Sequence, residues 1–539
     1  MLLDQFGACC IFVVMALSSK RLLKLNDALL HRRVEEGRKL LNRAHKDIVG
    51  LDPKEPLATA YVLCVAQWID IGYESSQLLD DLFSRFTKVP GRQIRFLDYI
   101  HLKAIEGYLA FTREDLETAI AAFSFLLQID VEIVGLFLIA QVHFWKGRAH
   151  RSQGEYGLAL HHILEAKQMA SALQAPKFLA AVKIHESWLL FQRGQRRDAF
   201  RLLDEAEAEL KETGHLLSLG NIESARGRFV RRSGEYTKAL AHFERAVEIY
   251  SCHLRDHPNL ARALVNAAYV KRLIALDLRE KSKGARARAS DHVRFLEICQ
   301  EALELLDRAG KIYAVSHHKK GNGTVLVNAA YLYLDCGDID RAQSQAEDAY
   351  SLAEQSHDHI LMARTRTLQS IIHNECAEEQ IGDPADMAMH ANLARVYSEE
   401  AVDIAKMTQN KRLLAGAYIA RSTAAASDFF QDWDTANQFA ALAGELLSRE
   451  DRDHLSKELQ QLKGRVLRAT GIHDMLRSWS EGMVNDMTFR QVSEEFAAIV
   501  IPKVWMREDQ KISRVAAKLS ISPNKVRRIL QNADLLGRR

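Results

Sequence analysis

The sequence predicts an all-α chain, a long array of helical repeats followed by a small three-helix domain. Three observations lead there. Proline is scarce, eight in 539 residues, where about 5% is typical; it breaks helix interiors because it lacks an N–H and clashes with the preceding turn. Strand-like alternation is nearly absent, and the best case, Thr324-Val325-Leu326-Val327, runs on into a helical pattern. A spaced pattern of small and large residues recurs from Ala104 to Glu450.

The length exceeds what one hydrophobic core supports. A composition of 47% hydrophobic and 27% charged residues belongs to folded, soluble chains rather than disordered ones. Seven cysteines (Cys9, Cys10, Cys64, Cys252, Cys299, Cys336, Cys376) are scattered with no CxxC pair. That spacing argues against a zinc site and a disulfide framework and for a reducing, cytoplasmic setting. At the N-terminus, Ala8 to Leu17 is an apolar run of ten residues, about half of what a membrane span needs. Only Asp4 is charged before it and no A-x-A-like site follows, unlike a secretory signal. Segment 1–19 is open to two readings, a short buried helix or a start placed before the true one at Met15.

In the repeat, a small residue is followed seven positions later by a turn residue. An Ala comes five after that, a large apolar residue four later, and usually a further Ala three later. Two copies are clear: Gly147, Gly154, Tyr156, Ala159, Ile163, Ala166, and Gly227, Gly234, Tyr236, Ala239, Phe243, Ala246. Others keep the frame: Gly107, Leu116, Ala119, Phe123; Ser187, Gly194, Ala199, Leu203, Ala206; Ala330, Gly337, Ile339, Ala342, Ala346, Ala349; and Ala424, Trp433, Ala436, Ala440, Ala443. Antiparallel helices pack closely only where small side chains let the backbones approach. The turn glycine supplies the left-handed cap that ends the first helix.

This spacing resembles the tetratricopeptide repeat family. The resemblance implies an α-solenoid with a groove that receives a protein or peptide, over residues 20–470. Most copies lack the family's Trp at the start of the first helix and its Pro at the end. One copy is expanded: Leu264 to Leu278 reads as a first helix and Phe295 to Tyr313 as its partner. Between them Arg279 to Ser290 reads as a solvated extension or loop rich in Lys281, Lys283, Arg286 and Arg288.

After Gly471 the repeat stops, and 471–488 reads as a connector. The last 51 residues, 489–539, form a separate pattern. A helix from Gln491 to Met506 has Val492, Phe496, Ile499, Val500 and Val504 as its apolar face and Pro502 inside it. A short helix follows, Ile512 to Leu519, then a turn at Ser520-Ile521-Ser522, and a third helix from Pro523 to Ala533. Ser522 suits an N-cap and Pro523 the first helical position. Val515, Ala516, Leu519, Ile521, Val526 and Ile529 fall where a helix-turn-helix needs apolar residues, although Ser520 stands where glycine is usual. From Gln510 to Arg539 there are eight Lys or Arg and one acid, Asp534. That tail therefore carries +7 and the remainder of the chain −4, out of a total of +3. Such a basic patch is the electrostatic footprint of phosphate binding.

The run AAKLSISPNKVRRIL within 489–536 resembles the Fis-type helix-turn-helix. The resemblance implies double-stranded DNA binding and a homodimer, with Phe496 and Ile499 offering the dimer contact. In this frame Asn524, Lys525 and Arg528 face base edges, while Ser522, Arg514 and Arg527 are placed for phosphates.

Other constellations are expected to be ordinary. His161-His162, His317-His318 and His357-Asp358-His359 lack the i, i+4 spacing of a helical metal site. Gly321-Asn322-Gly323 lacks the GxxxxGK[ST] phosphate loop and is expected to be a helix-linking turn. With no nucleophile elbow, Walker motif or H-E-x-x-H, the chain reads as a non-enzyme without cofactor or metal. The sequence thus predicts a DNA-binding transcription regulator with a partner-binding repeat domain. The alternative is an interaction scaffold whose terminal domain binds protein.

Overall fold

The computed structural model describes residues 19–73, 76–88, 94–211, 214–253, 255–282, 289–379, 382–448, 450–469, 479, 482, 487–532 and 535–536. Segment 1–18, the N-terminal apolar run included, and most of the predicted connector lie outside them.

Every regular element among the described residues is a helix. Four helices open the chain: α1 (Ser19–Leu30), α2 (Val34–Val49), α3 (Ala58–Asp70) and α4 (Ser76–Phe86). The first repeat hairpin is α5 (Phe96–Thr112) with α6 (Leu116–Leu126), and the one-turn α7 (Val131–Val134) follows. Seven further hairpins stack on it: α8 (Leu136–Gln153) with α9 (Tyr156–Ala172), α10 (Pro176–Gln192) with α11 (Arg196–Leu210), α12 (Leu216–Arg232) with α13 (Tyr236–His253), and α14 (Pro258–Lys281) with α15 (Ala289–Val315). They continue with α16 (Lys319–Asp335) and α17 (Ile339–Gln355), α18 (His359–Glu378) and α19 (Pro384–Lys406), and α20 (Lys411–Ala425) and α21 (Trp433–Leu446). Helix α22 (His454–Ala469) packs on α20 and α21.

The small-to-large rule fixes the hairpins. A Cβ added at Gly107 would lie 2.6 Å from Phe123, one at Gly147 2.9 Å from Ile163, and one at Gly227 2.9 Å from Phe243. In each case the glycine meets the large residue 16 positions later, so only a missing side chain allows that ring or branch to seat. Ala119, Ala159, Ala199, Ala239, Ala342 and Ala436 are all fully buried on the second helices. Gly154 ends α8 with φ +86°, a conformation that L side chains rarely adopt.

Two readings of the repeat region are corrected. Arg279, Glu280 and Lys281 belong to α14, and Ala289 and Ser290 to α15, so the basic loop is shorter than the sequence suggests; 283–288 lie outside the described residues. Arg279 stacks on Phe295 at 5.2 Å and donates to the Asp335 carbonyl at 3.0 Å, which carries the helix onward. Gly321-Asn322-Gly323 is not a turn but the first turn of α16. Its glycines serve packing, since a Cβ would lie 2.5 Å from Tyr313 at Gly321 and 2.4 Å from Leu361 at Gly323. The chain reverses instead at His317, with φ +51°.

The stacked hairpins wind until the chain touches itself. The α16 end meets the α5–α6 turn, where Lys320 N donates to Glu114 Oε2 at 2.9 Å and Lys320 Nζ to the Ser152 carbonyl at 3.0 Å. Gln409 N donates to the Gly154 carbonyl at 3.2 Å, and Gly157 N to Gln409 Oε1 at 2.8 Å. Arg452 N donates to the Arg232 carbonyl at 2.9 Å, and Lys457 pairs with Asp277 at 2.8 Å. These contacts join residues some 200 positions apart and form a seam along the superhelix.

After the superhelix come α23 (Phe489–Arg507), α24 (Ile512–Leu519) and α25 (Pro523–Asn532). Thr488 caps α23 reciprocally with Gln491. Ser520 takes the left-handed conformation, φ +52°, that a glycine would take more easily. Val515, Ala516, Val526, Ile529 and Leu530 form the small core as expected. The face of α23 is corrected: Ile501 and Trp505 are its buried residues, while Phe496 is 50% exposed. Pro502 sits inside the helix without ending it.

The packing rule is checked by two alanine substitutions followed by circular dichroism on heating. Gly107→Ala is expected to destabilise by about 1–3 kcal/mol through overpacking against Phe123. Gly416→Ala, in the middle of α20 with no atom within 4 Å of its added Cβ, is expected to stabilise by roughly 0.5–1 kcal/mol.

Candidate functional site

The winding surrounds a partly open cavity of about 1560 Å³. It is lined chiefly by one stripe from each first helix of a hairpin. On α14 the stripe runs Asn259, Arg262, Asn266, Tyr269, Arg272, Leu276 and Arg279, every step three or four residues. That spacing is one helix face, and the other sides of α14 carry buried residues such as Leu260, Ala261, Leu264 and Ala268. The helix is thus held in its neighbours by apolar packing and turns a polar face inward. Helix α8 adds Phe144, Arg148 and Arg151; α12 adds Asn221, Arg228, Arg231 and Arg232; α16 adds Asn328 and Tyr331; α18 adds Arg364 and Glu375.

Thirteen Arg or Lys side chains line the cavity against seven carboxylates. Some are neutralised in place. Arg148 pairs with Asp70 at 2.5 Å, and Trp145 Nε1 donates to the same carboxylate at 3.0 Å. Arg272 pairs with Asp335 at 2.5 Å and stacks on Tyr331 at 4.4 Å. Arg412 pairs with Asp451 at 3.3 Å and also with Asp453.

Others have no carboxylate within 4 Å among the described residues: Arg32, Arg151, Arg228, Arg231, Arg262 and Arg364. Arg151 Nη1 instead contacts His185 Nδ1 at 3.0 Å. Burial, and then the nearby Arg228, Arg262 and Arg148, pull the Arg151 guanidinium down to about 9. Burial and then Arg262 and Arg231 pull Arg228 down to about 10. His185 falls well below its usual range through burial and the same arginines, and burial with Arg262 takes His257 to about 4. Near neutral pH these imidazoles are therefore neutral and the arginines remain charged, crowded and uncompensated. Arg32, from the α1–α2 turn, reaches the same cavity. It is only 2% exposed, lies over the Phe178 ring at 5.1 Å, and its Nε and Nη1 find no hydrogen-bond partner among the described residues. A different sign appears at Glu375 and Glu458, where burial pushes both carboxyls up to about 7.

The residues expected to touch DNA lie in the C-terminal domain. Asn524, Lys525, Arg527 and Arg528 are exposed on α25, and Ser522 and Arg514 are exposed beside it. Ser522 Oγ accepts from Lys525 N at 3.2 Å, so its hydroxyl caps the helix. Arg514 pairs with Asp509 at 2.5 Å, and Arg528 lies 3.9 Å from Glu494. Thus α25 presents Asn524, Lys525, Arg527 and Arg528 on one short exposed surface. Phe489, 88% exposed, and Phe496 leave an apolar surface on α23.

The histidine groups are structural. His161 is exposed and His162 buried, stacked on His150, as adjacent helical residues should be. His318 Nδ1 caps α16 by accepting from Gly321 N at 2.9 Å. No group of three metal-ligating side chains occurs among the described residues. Nor is any helix among them long and apolar enough to cross a membrane.

This architecture is that of a tetratricopeptide-type α-solenoid, and the tetratricopeptide repeat family matches residues 218–278, covering α12 to α14. No curated protein matches the sequence. Among solved structures, the Rap protein complexed with competence and sporulation factor is similar in fold at 12% identity and a TM-score of 0.51, over 71% of this chain and 98% of that one. A Rap conjugation gene regulator of plasmid pLS20 with the Phr* peptide gives 14% identity, 72% and 96% coverage, and a TM-score of 0.41. An IFIT1 monomeric mutant with Gppp-AAAA gives 12% identity, 83% and 89% coverage, and a TM-score of 0.47.

The lumen's charge has consequences for stability. Arg228→Gln relieves repulsion and is expected to keep or slightly raise the melting temperature. Asp335→Asn leaves Arg272 unpaired and is expected to cost about 3–5 kcal/mol. Glu458 supplies a pH test. The folded state holds its proton to about pH 7, whereas the unfolded chain releases it near the ordinary 4.5 of a glutamate. The unfolded state therefore binds fewer protons across that window, and stability falls as pH rises through it. Glu458→Gln should melt higher than the parent at pH 8, with the difference closing by pH 5.

Proposed function

We propose that this chain is a non-enzymatic DNA-binding regulator whose superhelix receives a peptide. The observation that carries the reading is the partly open lumen with its stripes of polar side chains. Asn221, Asn259, Asn266 and Asn328 face one cavity from three successive first helices. Asn221 Oδ1 accepts from Tyr250 Oη and Asn259 Nδ2, and Asn266 and Asn328 each donate one amide hydrogen to their own helix. This leaves Asn259, Asn266 and Asn328 a carbonyl acceptor and a second N–H, the pairing an extended peptide backbone requires. A cavity of about 1560 Å³ is larger than the roughly 300–1,000 Å³ of ordinary small-molecule pockets. The Rap protein of similar fold is itself complexed with competence and sporulation factor, in keeping with this reading.

The DNA-binding half rests on α25. Its exposed Asn524, Lys525, Arg527 and Arg528 follow a left-handed turn and a capped N-terminus, the part that enters a major groove in helix-turn-helix proteins. Lys525, Arg528 and Asn524 read base edges, and Arg514, Arg527 and Ser522 hold phosphates. Two copies joined through α23 at Phe489 and Phe496 would place two such helices on one duplex. The peptide in the lumen then alters DNA binding or recruits a partner.

Fluorescence anisotropy of labelled duplex DNA tests the reading at two salt concentrations. The full chain should bind in a salt-sensitive manner, and a chain ending at Met487 or carrying Arg527→Glu with Arg528→Glu should not. A folded full chain that ignores DNA at low salt would overturn the DNA reading and leave a scaffold whose terminal domain binds protein.

A further inference from the structure

The lumen is polar in the electrical sense, and this deepens the peptide reading on which it rests. We propose that the cavity binds its peptide in one direction, with the peptide's carboxylate-bearing end on Arg151, Arg228 and Arg262, and its amino end toward Glu375 and Glu458.

The argument begins with what is left over after internal pairing. Asp70 is taken by Arg148 and Trp145, and Asp335 by Arg272 and Arg279. Arg151, Arg228 and Arg262, from α8, α12 and α14, then face the cavity with no carboxylate within 4 Å among the described residues. Arg262 is exposed into that space, where its side chain also meets the Tyr313 hydroxyl. Arg262 lies near enough to Arg151 and Arg228 to lower the proton affinity of both, and Arg228 near enough to lower that of Arg151. Arg32 adds an independent sign, a guanidinium 2% exposed at the same cavity with Nε and Nη1 unpartnered. Burying guanidinium N–H groups without acceptors is expensive, and an anion in the cavity relieves it.

The complementary carboxyls, held partly protonated near neutral pH by burial, are also left without partners. Glu375 and Glu458 line the cavity and have no ion pair among the described residues. Two helices give the spacing. On α14, Arg262 precedes Arg272 by ten residues, and Arg272 is among the charges acting on Glu458; on α18, Arg364 precedes Glu375 by eleven. At about 1.5 Å per residue both separations are about 15–17 Å. An extended chain covers that in about five residues at roughly 3.3–3.6 Å each. A free peptide of five or more residues, amino group at one end and carboxylates at the other, matches both ends at once. The carboxylates come from its terminus, from Asp or Glu side chains near it, or from both.

The test is selection of a random nonapeptide library with free ends on the full chain, with Arg228→Gln/Arg262→Gln as a parallel target. Sodium tripolyphosphate is titrated by calorimetry as a separate arm. Enriched peptides should carry Asp or Glu toward the C-terminus, and their affinity should fall about tenfold or more in the double variant, the loss expected from charge-assisted hydrogen bonds. Amidating the C-terminus of an enriched peptide separates terminal from side-chain carboxylate. Circular dichroism confirms that the variant is folded, and Arg228→Lys/Arg262→Lys should recover part of the affinity. Peptides that bind the parent without acidic bias, or bind the double variant equally well, would overturn the orientation while leaving the peptide reading intact. Tripolyphosphate binding with no peptide enriched would overturn both in favour of a phosphate-bearing ligand. Absence of binding by either probe would overturn both outright.

Discussion

The close approach of paired helices is the constraint on which the rest depends. Three hairpins close because a glycine on the first helix admits a large residue 16 positions later, as Gly107 admits Phe123 and Gly227 admits Phe243, and others set alanine at both places, as Ala330 with Ala346 and Ala424 with Ala440. That contact fixes which face of the first helix points at its partner and therefore which face does not. The stripe from Asn259 to Arg279 is the remainder left by packing. Because the same rule repeats along the chain, those stripes share one side and the superhelix acquires a lumen.

The lumen shows what such a remainder can do. Residues facing it escape the demand for apolar complementarity, so they are free to be charged. Many arginines there have been compensated from neighbouring repeats, as Arg272 is by Asp335. Those that have not are concentrated among α8, α12 and α14. A scaffold optimised for its own stability would not leave guanidinium groups crowded and partly dry, since unpaired buried charge is among the costlier features a fold can carry. Retention of that cost points to a ligand rather than to packing.

Much of the fold was legible in the sequence and the lumen was not. The glycine and alanine frame could be read because packing constrains it at every copy, and Ile512 to Leu519 is the helix read from its amphipathic pattern. Pairing across some 200 positions, as between Glu114 and Lys320, leaves no local periodicity to find. The lumen stripe did leave a signal: on α14, polar residues at steps of three and four inside a helix otherwise made of small and aliphatic residues. The apolar face of α23 was misread because Val492, Phe496, Ile499, Val500, Ile501, Val504 and Trp505 surround the helix. What selects Ile501 and Trp505 is where the short α24–α25 pair docks. Gly321 and Gly323 misled for a related reason, since glycine near a helix start signals a turn or a close contact equally well.

The seam, where Gly154, Arg232 and Glu114 are met by segments some 200 residues further on, bears on kinetics. A groove open along its length exchanges its occupant sideways, as a hand closes on a rope. A coil stitched to itself admits one end-on, or after the backbone bonds at Gln409 and Arg452 part. On the proposed peptide reading, occupancy of this lumen is governed by how often the stitching opens as well as by affinity.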